Sequence, residues 1–130
     1  MFDALDISSS ALQAQRTRLD TIAANIANIN TTHDADGKAN PYRRRFAVFS
    51  PGQPGNAAAP GVHVREIRLD ESGFREVPDP SHPGEFIKYP NIDLTTEYVN
   101  ALEASRAYEA NVTTMEVTKS MINASLRIIA

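Results

Sequence analysis

The chain contains no cysteine, which excludes disulfides and thiol chemistry, although cysteine-free chains occur in reducing and oxidising compartments alike. It has no glycine or proline in its first 36 or its last 40 residues; all six glycines and eight prolines fall between Gly37 and Pro90. Because these two residues are the strongest punctuators of regular structure, both ends are free to be helical and the middle is not. No stretch is long and apolar enough to read as membrane-spanning. Nor is there a block of like charge. The net charge of −3 divides as −3 over residues 1–36, +2 over 37–90 and −2 over 91–130, so no nucleic-acid partner is indicated. The opening Met1-Phe2-Asp3-Ala4-Leu5-Asp6 lacks the positive start and continuous apolar run of a cleavable secretion signal, so ordinary signal-peptide export is not expected.

What the ends do have is periodicity. Leu5, Leu12, Leu19 and Ile26 fall seven residues apart, with Ile22 and Ile29 on a companion row. At the other end Leu94, Ala101, Tyr108, Met115, Ile122 and Ile129 recur every seven residues, flanked four positions on by Tyr98, Val112 and Leu126. A seven-residue repeat keeps an apolar stripe facing a partner helix. Ser8, Gln15, Ser105 and Lys119 interrupt the companion rows, so the seams are narrower than those of a self-sufficient zipper and the isolated helices should be marginal. A helix from Leu5 to Ile29 would be about 37 Å long, and one from Asp93 to Ile129 about 55 Å. A compact chain of 130 residues has a radius of gyration of roughly 14 Å, so the second helix should project and need cover from another chain. A helical hairpin folded back antiparallel on itself is the alternative, and the two are compatible.

The expected fold is mainly α: long N- and C-terminal helices forming coiled-coil-like layers, with a small irregular β-hairpin and loop region between them. Residues 1–36 would hold the first helix and its Asn-rich end, 37–90 the Pro/Gly-rich loops and short strands, and 91–130 the long second helix, together one structural unit. With 42% hydrophobic residues, a modest core is within reach. Asp3 is a candidate cap for the first helix, which should stop near Asn28, Asn30, Thr31 and Thr32. Residues 42–49 read as a strand closed by Ser50-Pro51-Gly52, and 53–61 as a flexible linker. Val62–Leu69 alternates apolar and polar residues with one break after Glu66, a half-buried strand with one bulge. Glu71-Ser72-Gly73 turns into Phe74–Val77, and residues 78–84 cannot continue that strand. Pro90 and Asp93 announce the long helix.

Candidate chemistry is sparse. His33, Asp34 and Asp36 are potential metal ligands, but a calcium loop counted from Asp34 would place Ala39 where glycine is needed and Arg45 where glutamate is needed. His63 and His82 have no positioned nucleophile or acid. Arg43, Arg44 and Arg45, between Tyr42 and Phe46, suit a subunit contact or a solvated strand face better than a nucleic acid in an acidic chain. The glycosylation-type triplets at Asn30, Asn111 and Asn123 read as chance. No catalytic residue, cofactor or metal site is expected.

Two segments bear a family resemblance. Ala24-Asn25-Ile26-Ala27-Asn28-Ile29-Asn30-Thr31 is similar to the Ala-Asn-x-x-Asn-x-x-Thr signature near the N-terminus of bacterial flagellar rod and hook proteins. Tyr89-Pro90-Asn91-Ile92-Asp93, then Glu97-Tyr98-Val99-Asn100 and Glu103-Ala104-Ser105-Arg106-Ala107-Tyr108-Glu109-Ala110-Asn111-Val112, resembles proximal-rod proteins of the FlgC type. The resemblance implies a structural subunit of the flagellar basal body whose partners are copies of itself, other rod proteins and the flagellar type III export apparatus. It further implies export without cleavage to a periplasmic rod and no direct membrane insertion. Asn25, Asn28 and Thr31 would end the first helix and fix the following turn. Other readings of the same helices are another rod or hook-family axial subunit and a cytoplasmic coiled-coil adaptor, while a small metal-dependent hydrolase would need His33, Asp34 and Asp36 to converge with His63.

Overall fold

A computed structural model describes residues 2–130 and contains two long helices and two small hairpins. Helix α1 spans Phe2–Ala27. It already starts at Phe2, so Asp3 lies in the first turn rather than at the cap, where its charge still meets the positive end of the helix dipole. Strands β1 (Arg45–Pro51) and β2 (Val62–Leu69) pair antiparallel. Strands β3 (Arg75–Pro78) and β4 (Phe86–Tyr89) form a second antiparallel pair. Helix α2 spans Leu94–Ile129, capped by Asp93, whose carboxylate accepts from the Thr95 N–H at 3.1 Å.

The expected bulge is present on β2. Val48 pairs with Glu66 and Phe49 with Val64, so Arg65 has no opposite residue. Between these strands, residues 53–61 are not a flexible linker but a closed loop, in which the Gly52 N–H donates to Gly61 O at 2.9 Å and Gln53 and Asn56 bond each other. Gly52 is required there, because at φ +84° an added Cβ would stand 2.5 Å from Asn56 O. The β1–β2 hairpin lies on α1, pinned by the Val62 N–H donating to the Ser10 hydroxyl at 3.1 Å. The β3–β4 hairpin packs against neither helix. Strand β4 was not expected from the sequence: four residues bounded by Gly84 and Pro90 carry too short a pattern to read.

The two helices pack antiparallel. Asn25 meets Glu97, and Arg18 lies 3.6 Å from Glu103. The folded-back hairpin is therefore what the chain forms, and the packing differs from the expected seams. Of the α1 stripe only Ile22 is buried; Leu5, Leu12, Leu19 and Ile26 are half-buried, and Ile29 falls beyond the helix end. The residues that α1 buries are instead Ser8, Ala14, Thr21, Ile22 and Asn25. On α2, Ala101, Tyr108, Met115 and Ile122 do face inward, half-buried, whereas Leu94 and Ile129 at the two ends of the row are exposed. Their companions lie mostly three positions on: Glu97, Ala104 and Thr118 are buried and Asn111 and Ser125 half-buried, whereas of the expected four-on companions Val112 is half-buried and Tyr98 and Leu126 are exposed. Small and polar side chains thus take most of the deepest positions of the contact, flanked by half-buried apolar ones.

Candidate assembly interface

The helix pair and the first hairpin meet at a buried polar cluster built on Asn25. Asn25 sits on the last inward-facing turn of α1 and is wholly buried. Its Oδ1 accepts from the Arg45 N–H at 2.9 Å and its Nδ2 donates to Arg45 O at 2.7 Å. The amide therefore satisfies both backbone groups of the first β1 residue, as a neighbouring strand would. Tyr42 donates its hydroxyl to the same Oδ1 at 3.2 Å, and Nδ2 also reaches Glu97 Oε2 at 3.4 Å. All the hydrogen-bonding capacity of one side chain is spent tying α1, β1 and α2 together.

Glu97 is the second anchor, a carboxylate 1% exposed on the first turn of α2. It accepts from Arg44 Nε, and Arg44 in turn lies 3.8 Å from Asp70 beyond the end of β2. Ser72, through its backbone N–H and its hydroxyl, holds the Asp70 carboxyl below its usual pKa, and Arg44 and Arg43 pull in the same direction. Arg43 donates to Asp70 O at 3.1 Å and lies over the Phe74 ring at 4.4 Å, while Arg45 lies 5.4 Å from the centroid of Tyr42. Burial pushes the Tyr42 hydroxyl above its ordinary pKa, partly offset by Arg45 and reinforced by Glu97. The arginine run is therefore neither a subunit contact alone nor a solvated face, since two of its three members hold the chain together internally.

The remaining motif residues have distinct duties. Asn28 Nδ2 donates to Ala24 O at 2.8 Å, a carbonyl that also accepts the Asn28 backbone N–H at 3.1 Å, so both bonds close the last turn of α1. Thr31 donates to Asn28 Oδ1 at 3.1 Å, and its own carbonyl accepts from the Tyr42 N–H. Asn28 and Thr31 thus end the helix and shape the turn as expected, whereas Asn25 is a core anchor. Tyr89 packs under Arg75, Pro90 is fully buried, and Asn91 donates to Ser72 at 3.1 Å. Along α2, Glu103 faces Arg18, Asn111 donates to Ala107 O at 2.8 Å, Ser105 and Tyr108 are half-buried, and Arg106 is exposed. Among the described residues, one buried side-chain polar atom has no partner, Gln15 Oε1.

Metal chemistry finds little support in this geometry. Asp34 accepts the Asp36 and Lys38 N–H groups on Oδ1 and His63 Nδ1 pairs with Gly52 O, and among the described residues His33, Asp34, Asp36 and His63 form no ligand cluster. Asp79, His82 and Glu85 do come together in the β3–β4 turn, where Asp79 accepts from the Ser81 N–H and pairs with His82 at 3.0 Å. The hydrogen bonds of the turn account for that grouping.

The outer face of α2 mixes exposed apolar residues with charged ones, among them Glu103, Arg106, Glu109, Glu116 and Lys119. Val99, Leu102, Val117, Met121 and Ile128 are more than half exposed. At 1.5 Å per residue, α1 is about 39 Å long and α2 about 54 Å, so in the Asn25–Glu97 register α1 ends near the level of residue 120 and the last turns of α2 run past it.

Two family models match this chain: the flagella basal body rod protein model over residues 5–32, and the flagellar basal body rod FlgEFG protein C-terminal model over residues 84–128. Among curated proteins, the flagellar basal-body rod protein FlgC of Bacillus subtilis is 38% identical, the match covering 98% of this chain and 97% of that protein. FlgC of Borreliella burgdorferi is 35% identical over 99% and 97% of the two chains, and FlgC of Yersinia enterocolitica 39% identical over 94% and 92%.

Proposed function

The chain belongs to the flagellar basal-body rod proteins of the FlgC type, and we propose that it enters the proximal rod through its two terminal helices. It is a structural subunit of the basal-body rod, not an enzyme. The observation that carries the helix-mediated reading is on α2, where the fully buried positions are only Glu97, Ala104 and Thr118 while Val99, Leu102, Val117, Met121 and Ile128 are more than half exposed. An apolar stripe left uncovered on one chain is stabilised by burial against another, at about 25 cal/mol per Å² of apolar area. Helices from neighbouring copies and from other rod proteins would bury this stripe in concentric, coiled-coil-like layers of a hollow, torque-transmitting shaft. Near-parallel packing at about 20°, which seven-residue repeats favour, suits such a shaft.

The same weakness suits delivery. A helix pair with few fully buried apolar residues suits a subunit that passes unfolded through the flagellar type III export apparatus and orders among neighbours in the periplasm. No described helix is long and apolar enough to cross a membrane. The test is Val117→Asp combined with Ile128→Asp. Both positions are exposed in the monomer, so the melting temperature of the purified variant should move by no more than a few degrees, whereas motility and rod assembly in a bacterium lacking its own FlgC should be lost. Normal rods built from a folded double variant would refute assembly through this face.

A further inference from the structure

The β3–β4 hairpin is tied to the molecule only at its base. It packs against no other helix or strand. Among the described residues, no hydrogen bond or ion pair made by residues 75–89 beyond their own ladder leaves the hairpin: Asp79, Ser81, His82 and Glu85 bond among themselves, and Arg75 lies over the Tyr89 ring. Its apolar side chains are poorly covered, Val77 being 36% and Phe86 61% exposed. A groove of about 450 Å³, lined by Phe86 and Ile87 of β4 and by His33, Ala39 and Pro41 of the segment before β1, leaves that side of the hairpin open. A two-stranded hairpin without a packed face is only marginally stable in water.

What grips the base is Arg43. Its guanidinium donates to Asp70 O at 3.1 Å and to Ser72 O at 3.4 Å, and lies 4.4 Å from the centroid of Phe74, the residue that enters β3. Asn91, just beyond β4, donates to the Ser72 hydroxyl at 3.1 Å, so the two connections of the hairpin are joined where Arg43 holds the first. Between Ser72 and Phe74 stands Gly73, where an added Cβ would meet no atom within 4 Å, so nothing packs against that link. We propose that residues 74–89 form a strap that opens as a unit while α1, α2 and the β1–β2 hairpin stay folded, and that Arg43 is its latch. Opening gives up little apolar burial and passes the ladder groups to water, whereas β1–β2 lies on α1 and cannot open without uncovering it. The strap belongs to the free chain, and it stands whether or not the rod reading does.

Hydrogen exchange of the full chain, read residue by residue by NMR, tests this. The bonded ladder amides of β3 and β4, with the Asp79 N–H that donates to Glu85 O, should exchange at least about tenfold faster than those of β1 and β2, yet at least about tenfold slower than in an unstructured peptide. Arg43→Ala should speed exchange in β3–β4 by at least a further factor of about five and leave β1–β2 within about twofold of its former rates. Equal protection of the two hairpins would overturn the strap. Exchange of β3–β4 at the unstructured rate in the unaltered chain would overturn the latch, as would an Arg43→Ala effect that is absent or that falls equally on both hairpins. Should Arg43→Ala fail to fold, Phe74→Leu takes its place, removing the ring beneath the guanidinium while keeping an apolar side chain; exchange in β3–β4 should then rise at least about threefold, and an unchanged rate would overturn the latch.

Discussion

Replacing Asn25 by alanine deletes four hydrogen bonds at a position with no exposed surface. Two of the groups left behind are the N–H and C=O of Arg45, which the amide satisfied at 2.9 and 2.7 Å. An unpaired buried backbone group costs about 1–3 kcal/mol, so these two dominate. Tyr42 is only half-buried and can turn its hydroxyl to water, adding less. The expected destabilisation is about 3–5 kcal/mol, which is a third or more of the stability of a typical small protein. Urea unfolding followed by circular dichroism measures it, as a fall in midpoint at unchanged slope. A loss below about 1 kcal/mol would show that Asn25 is not the anchor. Asn25→Asp sharpens the test: aspartate keeps an acceptor for the Arg45 N–H but cannot donate to Arg45 O when ionised, and it adds a second carboxylate beside Glu97. Burial and that neighbour should raise the pKa of the new group above its unfolded value. Its favourable, protonated form then prevails at low pH and is lost as pH rises through the folded pKa, so the variant should recover relative to wild type as pH is lowered from 7 towards 5.

Two further outcomes follow from single groups. Gln15→Met removes a buried oxygen without a partner while keeping the volume, and should stabilise by about 1 kcal/mol, a rise of about 3–5 °C in thermal midpoint; no rise, or a fall, would mean that the oxygen is satisfied in solution. Asp70 has a depressed pKa, so its contribution is present above the unfolded value near pH 4 and is lost as pH falls through the folded value; the stability gap between wild type and Asp70→Asn should therefore close between pH 5 and 2, and a constant gap would refute that assignment.

Much of the architecture was legible in the sequence because its signals are local. The confinement of glycine and proline marked both helices, Asp93 marked the cap of α2, and broken alternation marked the bulge at Arg65. The inner face of the helix pair was not legible. Hydrophobic periodicity finds the stripe that is apolar, and here the buried positions include the polar Ser8, Thr21, Asn25, Glu97 and Thr118 beside Ala14, Ile22 and Ala104. Glu97 can occupy such a position only because Arg44, more than fifty residues earlier, reaches it. A buried carboxylate reads like a surface one until its partner is known. The one available signal was a polar residue standing three places after Leu94 in a seven-residue row, with Asn25 similarly placed at the end of α1.

That buried polarity has a consequence for specificity. A helix pair joined by leucine against leucine could slip by one heptad at modest cost, since each knob would find a similar hole. Here a slip would carry Glu97 away from Arg44 and Asn25, and an unpaired buried charge is among the costliest defects a fold can carry, about 3–5 kcal/mol when one partner is removed. The polar cluster therefore fixes the register of α1 against α2 while burying little apolar area. Leu102, Val117, Met121 and Ile128 are left free for contacts outside the chain. A wider apolar seam between α1 and α2 would strengthen the monomer by withdrawing the surface with which, on the rod reading, it joins its neighbours.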